Sequence, residues 1–297
     1  MTVLVVGDLV TDVVVRPAGP LAIGSDTAGT VRVTGGGQAA NTAAWLARAG
    51  RPTTLIAAVG ADDAGRARVA ELTSVGVRCA VRAHEGAATG SVVVLVADGE
   101  RTMITDRAAA LLLDPADVTA AVLAEPDAVH LHLSGYALLD ARSRPGGLAA
   151  LTAARGRGLT TSVDAASAAP LRQLGADTFL DLVRDADLLL ANADEAAALT
   201  GSGPAERQAS ALTGVVRHAV VKRGDAGAVW CSRDGTTAVG AGERVPPIDP
   251  TGAGDAFAAG LLAAWLSGAD PADALAAGSA LGAEAVGRVG GRPAGRP

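Results

Sequence analysis

Lysine is nearly absent: the 297-residue chain holds one, Lys222, and Arg223 follows it. A Walker A phosphate loop needs Gly-Lys-Ser/Thr, so that nucleotide site is excluded. Positive charge is scarce in general. Lys and Arg number 25 against 31 Asp and Glu, for a net charge of −6, and no basic stripe runs along the chain. That balance argues against a nucleic-acid partner. The two cysteines, Cys79 and Cys231, are too few and too far apart for a disulfide framework or a zinc knuckle. They read as free thiols of a reducing compartment. No apolar run approaches the ~20 residues of a membrane span; the richest stretch, 256–266, is short and begins beside Asp255. The first residues carry no basic segment and reach Asp8 too soon for a signal peptide. A cytoplasmic protein with no membrane partner is expected.

What is plentiful is apolar surface. Hydrophobic residues make up 49%, enough for a large core and too much for a disordered chain. Strand-like and helical periodicities alternate, which predicts an α/β fold with a mostly parallel sheet covered by helices on both faces. Strands are predicted at 3–6, 53–59, 128–133, 159–163, 187–190 and 219–221, and helices at 38–49, 63–74, 253–266 and 271–286. One region breaks this rhythm. Short strands at 11–15, 31–34, 77–82, 91–97 and 101–105, with an Asp98-Gly99 hairpin signal, predict a small antiparallel sheet. It reads as a lid, contributed by about residues 11–34 and 77–106, on a single domain spanning 1–297.

Two segments carry chemistry. In the run Asp249-Pro250-Thr251-Gly252-Ala253-Gly254-Asp255, proline fixes a turn and glycines clear the way for main-chain N–H groups. A helix opening at Ala253 then turns its positive end to an anion. Asp255, an acid inside an anion-binding turn, suits the acceptance of a proton from an attacking hydroxyl. Taken alone it also reads as a first-turn acid favouring the helix dipole, worth about 0.3–1 kcal/mol. The second segment, Gly35-Gly36-Gly37-Gln38-Ala39-Ala40-Asn41, precedes the first long helix and lacks the third glycine of a dinucleotide fingerprint. Gln38 and Asn41 read as neutral donors and acceptors aimed at hydroxyls. His130 and His132 share one strand face without a third ligand nearby, so they read as structural, and the three tryptophans as core.

Together these segments resemble the PfkB family of carbohydrate kinases, of the ribokinase-like superfamily. The C-terminal signature is matched from 249 to 262, and the N-terminal one at Gly36, Gly37, Asn41, Ala43 and Gly50. The resemblance implies a ribokinase-like three-layer α/β/α sandwich with a mostly parallel central sheet and a small antiparallel β lid. It implies an ATP- and Mg2+-dependent kinase acting on a hydroxyl, by expectation a hydroxymethyl, of a small sugar or sugar acid. Asp255 is then the base, with the N–H groups of Gly252, Ala253 and Gly254 as anion hole. Substrate falls to Asp12, Gly36, Gly37 and Asn41 by the resemblance, and on the residues' own reading to Gln38 and to Tyr136, which follows the C-terminal end of a strand. Nucleotide falls to Asn192, Lys222, Gly224 and Gly227, magnesium through water to Glu195, and a monovalent cation such as K+ to Asp249 and Thr251.

Departures from the ribokinase pattern are Val10 and Gln38, which make ribose a doubtful substrate, and the run Asp164-Ala165-Ala166-Ser167, which lacks an Asn and an Arg found in many members. The alternatives are a nucleoside kinase, which the 2% aromatic content disfavours, and an inactive homologue acting as a ligand sensor. A homodimer through the lid is expected from the apolar strand 92–96, read as lying near an edge.

Overall fold

A computed structural model describes residues 1–97, 100–243, 245–246 and 248–293. Its strands are β1 (Thr2–Val6), β2 (Val10–Pro17), β3 (Gly29–Gly36), β4 (Thr53–Gly60), β5 (Val77–His84), β6 (Ser91–Ala97), β7 (Glu100–Asp106), β8 (Ala128–Ser134), β9 (Thr160–Asp164), β10 (Leu188–Asn192), β11 (His218–Lys222), β12 (Ala228–Ser232) and β13 (Thr237–Gly240). Nine form one sheet in the order β13-β12-β11-β10-β9-β8-β1-β4-β5. Every pairing from β11 to β5 is parallel, while β11–β12 and β12–β13 are antiparallel.

Alternation along β1 shows why the molecule has three layers. Val3 and Val5 point into one core, with Trp45, Leu55, Trp230 and Leu261. Leu4 and Val6 point into the other, with Leu131, Leu133, Leu151 and Phe179. A strand buried on both faces needs an unbroken apolar run, and each such side chain contributes about 1.5–3 kcal/mol on burial. The helices Gln38–Arg48, Ala253–Trp265 and Pro271–Val286 cover the first face, and Arg144–Gly156 and Ala193–Thr200 the second. His130 and His132 are fully buried in β8. Both His130 ring nitrogens and His132 Nδ1 pair with the Thr160 and Ser162 hydroxyls at 2.7–2.8 Å. Burial holds their pKa values down to about 3 and about 4, so both are neutral core residues, as the sequence suggested.

The second sheet has the order β3-β2-β6-β7 and lies over the carboxyl edge of the first. Three expectations need correction here. The strand near 77–82 is not in the lid: β5 pairs in parallel with β4 at the edge of the large sheet. An edge strand with one covered face alternates like a lid strand; Val77, Cys79 and Val81 pack inward while Arg78 and Arg82 reach Glu125 and Asp117. The strand 92–96 is not at an edge either, because β6 sits between β2 and β7, and its apolar run reflects that interior place. Its pairing with β2 is parallel, flanked by antiparallel pairings on both sides, so the lid is mixed. The Asp98-Gly99 hairpin signal lies outside the described residues.

Candidate active site

A cleft of about 890 Å3 opens where the parallel strands end. Asp8 follows β1, Tyr136 follows β8, and Asp164, Asn192 and Lys222 close β9, β10 and β11. Open α/β sheets gather ligands at this edge because loops and helix N-termini converge there. The inner face of the lid roofs the cleft through Asp12, Val92, Val94, Met103 and Thr105.

At one end stands the turn before the helix Ala253–Trp265. Gly252 caps that helix in the left-handed conformation, φ 76°, and a Cβ there would collide with the Gly291 main chain. Only glycine satisfies both constraints. The first N–H groups of a helix lack carbonyl partners within it, and the residues that carry them here, Ala253, Gly254 and Asp255, line the cleft; the N–H of Ala253 makes a long 3.3 Å contact back to the Pro250 carbonyl. Behind the turn, Asp249 is buried and accepts N–H bonds from Thr251 (2.9 Å) and Gly290 (3.0 Å). Burial favours its neutral form, but hydrogen bonding from the Thr251 side chain, together with those N–H bonds, prevails and holds its pKa below the ordinary value. Asp249 does not line the cleft; it ties the turn to the chain end.

Asp255 does line it. Its Oδ2 accepts from Asn41 Nδ2 at 2.9 Å. Burial, against the Asn41 bond, and then the neighbouring Asp164 charge, push its pKa up to about 7. Lys222 lies beside the turn rather than in the glycine loop that follows it. Its Nζ donates to Asp164 Oδ2 at 2.7 Å and stands 3.4 Å from where a Gly254 Cβ would be. Burial pulls the Lys222 pKa down, but Asp164 and Glu195 outweigh it and the net shift is upward.

At the lid end, Asp12 is buried against Gly36, where a Cβ would overlap its carboxylate. Burial, partly offset by Arg292, raises the Asp12 pKa to about 6. Gly37, φ 101°, caps the helix Gln38–Arg48. Gln38 is placed in the cleft wall, but both ends of its amide are engaged: Nε2 donates to Asp164 Oδ1 at 2.8 Å, and Oε1 accepts from Ser134 at 2.6 Å. It braces the wall rather than presenting a free donor. Tyr136 faces the cleft with the Arg107 guanidinium 3.4 Å above its ring centroid, and Arg107 also donates to Asp8 at 2.9 Å.

Next to Asp164 and Lys222, Asn192 and Glu195 cap the helix Ala193–Thr200 reciprocally. Glu195 N donates to Asn192 Oδ1 at 2.9 Å, while Asn192 N and Nδ2 donate to the Glu195 oxygens at 2.8 and 2.7 Å. Burial and the Asp164 charge push Glu195 up to about 7. Gly224 and Gly227 line the cleft beyond Lys222, next to an apolar slot of Val245, Pro246, Ala283 and Val286.

The structure therefore gathers around one cleft all the residues singled out in the sequence, with Gly36 and Asp249 packed just behind its wall. Sequence reasoning missed four features: Asp8, Arg107, the hub role of Asp164 and the buried Arg292. Asp8 was findable, as the acid that ends the first parallel strand. The others come from side chains that meet across long stretches of chain.

A family model described as pfkB family carbohydrate kinase matches residues 2–296. The sequence is 34% identical over 278 residues to an ATP-dependent ribose-1-phosphate kinase of Halopiger xanaduensis, covering 93% of this chain and 88% of that one. It is 33% identical over 239 residues to a fructokinase of Escherichia coli, covering 76% and 75%. Among solved structures, a provisionally named ribokinase II of E. coli in complex with ATP and Mg2+ is similar at a TM-score of 0.84 and 25% identity, over 98% of this chain and 94% of that one.

Proposed function

This chain belongs to the pfkB family of carbohydrate kinases, and from that premise we propose how its cleft divides the work of phosphorylating a small sugar or sugar acid. The enzyme is an ATP-dependent kinase with an alcohol group as acceptor. In our reading Asp255 takes the proton of a hydroxymethyl group as its oxygen attacks the γ-phosphorus. The bond to the ADP oxygen breaks, ADP leaves, and Asp255 later releases the proton to water. The N–H groups of Gly252, Ala253 and Gly254 hold the phosphoryl oxygens, and the nearby Lys222 ammonium adds positive charge. Phosphoryl transfer is mostly a matter of placement and charge neutralisation, so these groups suffice for the protein's share.

The acceptor sugar lies between Asp12, whose two oxygens suit a vicinal diol, and Asn41, with Gly36 and Gly37 leaving room and Tyr136 at the side. The nucleotide lies along Asn192, Gly224 and Gly227, its base in the apolar slot of Val245, Pro246, Ala283 and Val286. Glu195 fits a water-bridged Mg2+: it is an oxygen donor whose pKa is raised to about 7 by burial first and then by the Asp164 charge, and a nearby divalent cation would favour its ionised form. When bound, Mg2+ neutralises the phosphate charge. A monovalent cation, K+, is assigned beside Asp249 and Thr251, because the Asp249 carboxylate is held ionised while buried and its ion-pair partner among the described residues, Arg16, stands 3.9 Å away. Activity that differs between K+ and tetramethylammonium supports that site, and equal activity removes it.

The lid sheet of β2, β3, β6 and β7 closes over the acceptor and excludes water, within one kinase domain. Its outer face carries an apolar row, Val33, Val13, Val93 and Ile104 in cross-strand register. Val33 and Ile104 are 63% and 67% exposed, which supports a homodimer through the lid. A monomer in sedimentation at micromolar concentration contradicts it. No helix among the described residues is long and apolar enough to cross a membrane. The cytoplasm, where ATP is abundant and Cys79 and Cys231 stay reduced, is the assigned compartment. A nucleoside acceptor fits less well. Tyr136 is the one aromatic side chain at the lid end of the described cleft, and Arg107 already covers its ring. A mere ligand sensor has no use for an acid in the anion-binding turn.

One observation carries the reading: the acid of the anion-binding turn faces the cleft, hydrogen-bonded to the acceptor-side Asn41. The test is Asp255→Asn in an ADP-release assay across pentoses, hexoses, sugar acids, sugar phosphates and nucleosides. The expected result is a kcat lower by about a thousandfold or more with ATP still bound.

A further inference from the structure

We propose that Arg292 is a positioning residue for phosphoryl transfer: it fixes the Asn41 carboxamide so that its NH2 group, and not its oxygen, faces Asp255. The proposal rests on the role of Asp255 given above. A carboxamide has nearly the same shape either way round, but its two ends have opposite hydrogen-bonding character. Rotated, Asn41 would set its own acceptor oxygen against the Asp255 carboxylate. Arg292 prevents this, since its Nε donates to Asn41 Oδ1 at 3.2 Å while Asn41 Nδ2 donates to Asp255 Oδ2 at 2.9 Å.

The guanidinium is itself held on several sides. Nη2 donates to the Gly36 carbonyl at 2.8 Å, and Nη1 reaches Glu71 Oε2 at 3.3 Å. The preceding residue, Gly291, is pinned by the Trp45 indole N–H, which donates to its carbonyl at 2.9 Å. Gly35, a residue the sequence motif left without a task, is the place where a Cβ would collide with the Arg292 guanidinium. The glycine is needed because the arginine is there. Lysine cannot substitute, as a single ammonium does not reproduce a planar fork serving Asn41, Gly36 and Glu71 together.

The effect on kcat passes through Asn41 to the base; Arg292 also favours the charged form of Asp12, an acceptor-binding group, and that share is read separately in KM for the acceptor. The other groups bearing on Asp255 are Asp164, Lys222 and Asp8, and none of them contacts Arg292. Losing Arg292 frees the amide to turn, Asp255 loses a donor that favours its charged form, and its pKa rises. The acid limb of the kcat profile therefore moves to higher pH.

The experiment is a double-mutant cycle on the full chain with Arg292→Ala, Asn41→Ala and the pair, recording kcat against pH and KM for ATP and for the acceptor. Arg292→Ala is expected to lower kcat at pH 7 by about tenfold and to shift the acid limb upward by about half a unit or more. KM for ATP should hold, and the change should add nothing in the Asn41→Ala background. Arg292→Lys should resemble the alanine variant. Should Arg292→Ala fail to fold, Gly35→Ala, which displaces the guanidinium without removing it, is expected to give the same upward shift. Equal losses with and without Asn41, or an unmoved acid limb, overturn the proposal. Failure of the underlying reading looks different: Asp255→Asn would then turn over almost normally.

Discussion

The two ends of the cleft are built from different materials. The turn end is main chain: a left-handed Gly252, the opening of one helix, and contacts made within the 249–255 segment. The lid end is a web of side chains drawn from across the molecule, where Asn41 meets Asp255 over 214 positions and Arg292 over 251. The difference follows from the tasks. Every phosphate donor presents similar oxygens, which fixed N–H groups hold without adjustment. An acceptor sugar is recognised by its hydroxyl pattern, which only side chains can be varied to match.

Substitutions at the two ends should therefore fail differently. The largest effect is expected from Gly252→Ala, which forces a side chain into the left-handed region and against Gly291. We expect kcat lower by about a hundredfold or more and a stability loss of at least about 1–2 kcal/mol, read by steady-state kinetics and denaturant unfolding. A mild, purely kinetic effect would mean that the turn is less constrained than its geometry implies. Asp12→Asn should be smaller and confined to the other end. KM for the acceptor rises by about ten- to a hundredfold, as for a lost charged hydrogen bond, while KM for ATP holds. Parallel rises in both constants would erase the distinction between the two ends.

The smallest effect concerns stability. The pKa of Asp255 is raised in the folded protein from 3.8 to about 7, so the fold favours its protonated form. That contribution is fully present below the ordinary value and is lost as pH rises through about 7. Asp255→Asn should thus melt above the wild type at pH 8, with the gap narrowing towards pH 4. A gap independent of pH would show that the carboxylate is not strained by its surroundings.

The same contrast governs what could be read in advance. The turn end was legible because its chemistry is consecutive: proline, two glycines and an acid in one short run imply their own geometry. The apolar runs of β1, β4 and β10 announced the central sheet, since burial on both faces favours such runs. Edge and interior were confused in two places. β5 has one covered face and so alternates as a lid strand would, and β6 is apolar because it is interior to the lid sheet. Arg107 and Arg292 left no signal at all. Each is a single arginine whose partners are fixed only by tertiary packing, and no spacing rule joins position 292 to position 41.

The most direct measurement is the single-turnover rate of phosphoryl transfer by Asp255→Asn at saturating ATP and acceptor, with ATP affinity determined alongside. Transfer slowed by about a thousandfold or more with affinity intact is the expected result. Transfer at close to the wild-type rate would contradict the assignment of this carboxylate as the proton acceptor.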